Sequence, residues 1–184
     1  MTQMQSNMRK TILTTIMMVM TLSVFAQTQA RAYIYDDDES GITNVLNGPK
    51  GTVVQSLPND YEGGFVVALL EVKNDWWRID PEVDIYTSDA ELADNMLLEG
   101  SETGYWVHYS VLALSISGEK EDVLREEPSM QAKPLNFNES YWNQNELRPL
   151  EIRGDWIKVI TTDKLHTGWI PIDKICYNPI IRCQ

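Results

Sequence analysis

Two cysteines and two histidines set the outer limit of nucleophilic or metal chemistry in this chain of 184 residues. Cys176 and Cys183 both fall in the last nine positions, and neither has a histidine near it in sequence. A catalytic thiolate needs a base within hydrogen-bond reach, so a cysteine peptidase is not expected. In an oxidising compartment so close a pair is expected to form a disulfide that pins the C-terminal tail, contributing on the order of 2 kcal/mol. The run Asp36-Asp37-Asp38-Glu39 offers carboxylates to a hard cation. It lacks the alternating ligands and closing glutamate of a calcium loop. It is read as a solvated turn in which Asp36 and Asp38 can meet an ammonium or basic side chain, and no metal or cofactor is expected. Asp84, Asp89 and Glu91 are the acids from which a hydrolase alternative would be built.

Aromatic side chains are the richer supply, with six tryptophans and eight tyrosines. Rings exposed beside a groove stack on sugars or peptides at small entropic cost. Their placement follows a phrase that occurs twice, Asp75-Trp76-Trp77-Arg78-Ile79 and Asp155-Trp156-Ile157-Lys158-Val159. Each copy is followed by a Thr-Gly-aromatic turn and a further apolar strand, Thr103 to Val107 and Thr167 to Ile170. Side chains alternate between faces along a strand. Trp76 therefore travels with Arg78 and Trp156 with Lys158, partly exposed, while Trp77, Ile79, Ile157 and Val159 point to a core. Trp76 and Trp156 are the first candidates for ligand contact.

The elements that carry these residues are short strands broken by Gly, Pro, Asn and Asp, an all-β signature. Candidates are Ala32 to Tyr35, Thr43 to Leu46, Val53 to Pro58, Phe65 to Val72 and Leu147 to Ile152, with tight turns at Lys73-Asn74-Asp75 and Gly154-Asp155. The first copy is longer between its two halves, and the excess lies at Glu82 to Met96. Within it, Ser88 to Asp94 opens on an N-cap type serine followed by acids and predicts a single helical turn. Such an enlarged loop is a place where specificity lodges. Residues 118–130, mostly charged, read as a connector that adds nothing to the core.

Arg9 and Lys10 precede a run from Thr11 to Phe25 that ends in Val24-Phe25-Ala26. A membrane helix needs roughly 20 apolar residues. This shorter, threonine-rich run is read as a secretory signal peptide, residues 1–26, cleaved after Ala26. The product is expected in the periplasm or outside the cell, with no stable membrane insertion. Cleavage removes two bases and no acids, taking the formal net charge from −12 to −14. That balance excludes nucleic acid and anionic lipid as partners, since both are bound through basic patches.

The tract Tyr35 to Gly41, TNVLNGPKG from Thr43 to Gly51, the DWWRI strand and GYWVHYSVL from Gly104 to Leu112 together resemble the bacterial SH3-like (SH3b) domain. RGDWIKV at Arg153 to Val159 and TGWIPIDKI at Thr167 to Ile175 resemble it again, without the Asn-Val-Arg tract. In the first copy Leu46 stands where that family usually has arginine. The resemblance implies an all-β protein of two small SH3-like β-barrels in tandem, over residues 27–117, with an enlarged loop at 82–100, and over residues 131–184. It also implies a binding module of envelope or wall proteins, and adds Tyr35, Tyr105 and His108 to the candidate ligand contacts by position. On that strand an edge hydrogen-bonding role is expected of His108, and His166 is expected to face solvent. The expected function is non-enzymatic binding of a peptidoglycan fragment or an envelope protein. Its rival is a structural adaptor with protein partners alone.

Overall fold

The computed structural model describes residues 29–36, 41–58, 63–89, 91–116, 123–135 and 146–178. Residues 1–26, read from the sequence as a signal peptide, and Asp38 and Cys183 lie outside them. Thirteen strands form there: β1 Arg31–Ile34, β2 Ile42–Leu46, β3 Val53–Pro58, β4 Gly64–Lys73, β5 Trp76–Tyr86, β6 Leu92–Leu97, β7 Tyr105–His108, β8 Leu112–Ala113, β9 Ser115–Ile116, β10 Leu147–Arg153, β11 Trp156–Thr161, β12 Thr167–Pro171 and β13 Ile175–Cys176. An eight-stranded sheet runs β3-β2-β7-β5-β4-β1-β8, with β6 on β5; β10-β11-β12 make a second sheet and β13-β9 a third. The protein is all-β, and no sheet closes into a barrel among the described strands.

The repeated phrase is a repeated structure. Asn74 and Asp75 both have positive φ, 50° and 70°, as a type I′ hairpin turn requires. In the second copy only Gly154 does, at 59°, the type II′ pattern. Trp76 to Asp80 and Trp156 to Ile160 alternate half-buried and buried as the period of two dictates, with Trp77, Ile79, Ile157 and Val159 inside. After each third strand comes a 3₁₀ turn, Tyr109–Val111 or Ile172–Lys174. Its first N–H bonds back to the hairpin aspartate, Tyr109 to Asp75 O and Ile172 to Asp155 O, each at 2.9 Å.

Two expectations are corrected. The described residues of Ser88 to Asp94 hold no helical turn: β5 continues through Pro81 to Tyr86, and β6 returns along it from Leu92, pairing Asp84 with Asn95 and Ile85 with Asp94. Cross-strand pairing there outweighs a single turn of helix, which fixes several residues for little hydrogen bonding. The charged connector also enters the core. Leu124 is fully buried, and Arg125 exchanges both backbone hydrogen bonds with Trp169, at 2.8 Å each, adding one rung to β12. Gly168 makes room for it, because a Cβ there would lie 2.8 Å from Leu124 Cβ and from Leu135 Cδ1.

One contiguous apolar cluster serves both copies, joining Trp77, Ile79, Val107 and Leu114 to Leu147, Ile157, Val159 and Ile170. The seam is the start of β10, where four successive residues bond to the first copy. Glu146 accepts from Tyr33 Oη. Leu147 exchanges backbone bonds with Leu114, at 2.9 and 3.0 Å. Arg148 Nη1 donates to Tyr35 O at 2.7 Å and Leu112 O at 2.9 Å. Pro149 O accepts the buried indole N–H of Trp77 at 2.9 Å. Proline is tolerated here because β10 bulges between Pro149 and Glu151.

Candidate functional site

Strand pairing sets Trp76 opposite His108, with ring centroids 5.3 Å apart and planes at 67°. His108 also lies 4.7 Å from the Tyr109 ring. Its Nδ1 is 2.8 Å from Ser110 Oγ and accepts the Ser110 backbone N–H at 3.4 Å, which caps the 3₁₀ turn and places the ring proton on Nε2. Burial lowers the His108 pKa from its ordinary 6.5; Asp75 opposes this and Lys164 adds to it. The imidazole is therefore neutral at pH 7, held as an edge element of the turn.

Beside this cluster the two copies leave a cleft of about 260 Å3. Asp36, Tyr109 and Ser110 line it from the first copy, and Arg148, Thr162 and Lys164 from the second. Asp36 takes a hydrogen bond from the buried Thr43 Oγ1 at 3.1 Å. Arg148 is only 6% exposed and stacks over the Tyr35 ring, 5.2 Å from its centroid. Tyr35 itself is 43% exposed. Of the candidates named from the sequence, Asp36 lines the cleft, Tyr35 packs on its Arg148, and Trp76 and His108 form a ring cluster that adjoins it through Tyr109.

The others do not join them. Trp156 is half-buried and pairs with Arg153 and Pro171, so a proline stands where Trp76 has His108. It begins the strand whose far end reaches the cleft, about 13 Å away at roughly 3.3 Å per residue. Tyr105 is a correction: it is 8% exposed and part of the core, because at the far end of β7 the alternation turns its ring inward opposite Ile79. Asp38 lies outside the described residues. No described cysteine is a free thiol; Cys176 sits on β13, and Cys183 is not among the described residues. His166 is half-buried rather than facing solvent, its backbone N–H donating to Thr161 Oγ1 at 3.1 Å.

The acids of the hydrolase alternative do not converge. Asp84 is paired with Arg31, while Asp89 and Glu91 are exposed at the hairpin tip. No cluster of three metal-ligating side chains occurs among the described residues. Next to Asp84, burial together with Tyr177 and Asp84 pushes the Tyr86 hydroxyl pKa up, and the Arg31 guanidinium lies 5.3 Å over the Tyr177 ring. That network ties the C-terminal segment to β1.

Sequence reading missed Arg148, Tyr109, Ser110, Thr162 and Lys164. A signal for two of them was present: a cation inside the apolar strand Leu147 to Ile152, and the Thr-Thr-Asp-Lys turn after Ile160, whose aspartate organises it. No described helix is long and apolar enough to cross a membrane.

No family model matches the chain, and no curated protein matches it. Among solved structures, NlpC1 of Trichomonas vaginalis aligns at 13% identity and TM-score 0.29, over 85% of this chain and 48% of that one. NlpC2 of the same organism aligns at 14% identity and TM-score 0.27, over 83% and 49%. The chain spans about half the length of these structures. Likeness at this level carries no argument about fold or activity.

Proposed function

We propose that the chain is a non-enzymatic binding protein of the periplasm or cell exterior, built from two fused SH3-like units, that recognises a cell-envelope ligand through the face holding Trp76, His108 and the neighbouring cleft. The ligand class is a peptidoglycan fragment carrying its peptide. The observation that carries this reading is the meeting of an accessible aromatic edge with a small polar cleft where the two copies join. Such a combination gives stacking area and a few oriented polar groups, the usual make-up of a ligand site. His108 supports binding over catalysis, since its Nδ1 is occupied in capping the turn. A disulfide between Cys176 and Cys183 belongs to the same reading, as does export by the N-terminal segment.

The test is calorimetric titration with soluble peptidoglycan fragments, comparing the protein with its Trp76→Ala variant. An aromatic contact of about 1 kcal/mol predicts binding weakened roughly fivefold, with the fold checked by circular dichroism. Absence of binding by every fragment sinks the reading; affinity unchanged by the substitution removes Trp76 from the site.

A further inference from the structure

Three neighbouring side chains have polar atoms that the fold does not use. Trp77 gives its indole N–H to Pro149 O, and Trp106 gives its own to Thr103 O at 3.5 Å. Trp76 Nε1 meets no acceptor in the protein. His108 spends Nδ1 on Ser110, which leaves Nε2–H, and that donor too is unclaimed. So is the Tyr109 hydroxyl. Among the described residues, the buried side-chain polar atoms without a partner are Arg31 Nε and Ser115 Oγ. Trp76 Nε1, His108 Nε2 and Tyr109 Oη are not buried with them, so all three open to solvent.

These atoms sit on rings that the fold holds in place. Trp76 lies between Lys73 on β4 and His108 on β7, His108 is anchored by Ser110, and the Tyr109 ring packs against the apolar cluster. Successive ring centroids are 5.3 and 4.7 Å apart, with planes at 67° and 49°. Neighbouring rings therefore meet at a corner rather than in one plane. A ligand seated there lays an apolar face on one ring and meets a donor on the next. Because the rings are already fixed, little side-chain entropy is lost on binding.

The kind of donor narrows the ligand. The indole N–H and the Nε2–H of a neutral imidazole only donate, and the phenol both donates and accepts. None of the three carries charge, since burial keeps His108 neutral at pH 7. An extended peptide presents backbone N–H groups as often as carbonyls, and the N–H groups would find few acceptors on these rings. A sugar ring meets both conditions. Its C–H groups give an apolar face for an aromatic ring, and the hydroxyl and acetamido oxygens around its rim accept hydrogen bonds.

We infer that the strip formed by Trp76, His108 and Tyr109 binds the glycan of the envelope ligand, an uncharged oligosaccharide of N-acetylated amino sugars, stacking on its faces and donating to its oxygens. This rests on the proposed function in taking the ligand from the cell envelope, and it names the part of that ligand the rings read.

The full chain is titrated with N,N′,N″-triacetylchitotriose and with N-acetyl-alanyl-alanine amide, followed by calorimetry and by the indole N–H signals in heteronuclear NMR spectra. Each titration is repeated on Trp76→Phe and Tyr109→Phe, which keep the ring and remove one donor, with folding checked by thermal melting. Loss of one signal in Trp76→Phe identifies the Trp76 indole. The expected result is that the trisaccharide binds and shifts that signal, and that each substitution weakens it about fivefold, which corresponds to about 1 kcal/mol for one neutral hydrogen bond. The peptide amide is expected to bind weaker than the sugar by about tenfold or more. No binding of the trisaccharide, affinity unchanged by either substitution, or peptide bound within about tenfold of the sugar overturns the inference. If wall fragments bind through Trp76 but the trisaccharide does not, the glycan inference falls and the proposed function stands. If the trisaccharide binds through the strip and no wall fragment does, the converse holds.

Discussion

At the scale of single residues, His108 shows how a side chain suited to proton transfer is committed to structure. Its Nδ1 closes the 3₁₀ turn, its face meets Trp76, and burial among these groups disfavours the imidazolium. A folded-state pKa below the unfolded 6.5 means that the unfolded chain binds more protons in this window. The stabilisation is therefore complete above about pH 6.5 and is lost as the pH falls through the folded value. Melting temperatures measured between pH 7.5 and 5 are expected to decline more steeply for the protein than for His108→Gln, which has no titrating ring. Parallel declines would show that other groups control the slope. The aromatic candidates divide on the same physical ground. Period-two alternation told Trp76 from Trp77 and Trp156 from Ile157 correctly, since it depends on the strand alone. Tyr105 was placed by resemblance to a position, and the inward side of β7 took it into the core.

At the scale of elements, hairpins and their turns were legible because their chemistry is local. Asn74-Asp75 and Gly154-Asp155 mark reversals whose φ values these residues accept. Segments whose fate depends on a distant partner were not legible. Leu124 and its neighbour Val123 stand among charges, and only the open surface of β12 gives Leu124 a place. Gly168 records that contact, since its missing side chain is the space Leu124 and Leu135 use. Gly168→Ala is expected to cost about 1–3 kcal/mol by overpacking and to lower Tm by about 5 °C. Amide exchange should quicken at Arg125 and Trp169 more than at Ile79. An unchanged Tm would mean that the 123–135 segment is not held by this strand.

For the whole molecule the decisive feature is the seam at Glu146 to Pro149, where each residue in turn bonds to the first copy. Two copies joined only by a linker would melt separately. Here a shared apolar cluster and a buried guanidinium bind them into one cooperative unit. Calorimetry is expected to show a single transition with equal calorimetric and van't Hoff enthalpies. Arg148→Leu strips the donors from Tyr35 O and Leu112 O, at a cost of about 3 kcal/mol, and lowers Tm by about 10 °C while the transition stays single. Two resolved transitions in the unaltered protein would contradict the shared core.

By itself the sequence determined the all-β class, the duplicated hairpin and the faces taken by Trp76, Trp77 and Trp156, because backbone geometry and alternation are properties of a few neighbouring residues. Only the tertiary structure decided that the copies fuse through one core, that the charged segment joins it, and that Asp36, Arg148 and Lys164 share a cleft. Those outcomes depend on surfaces that lie tens of positions or more apart in the chain, from Arg125 and Trp169 to Tyr35 and Arg148, each needing the other to be buried, and no local pattern encodes such a pairing.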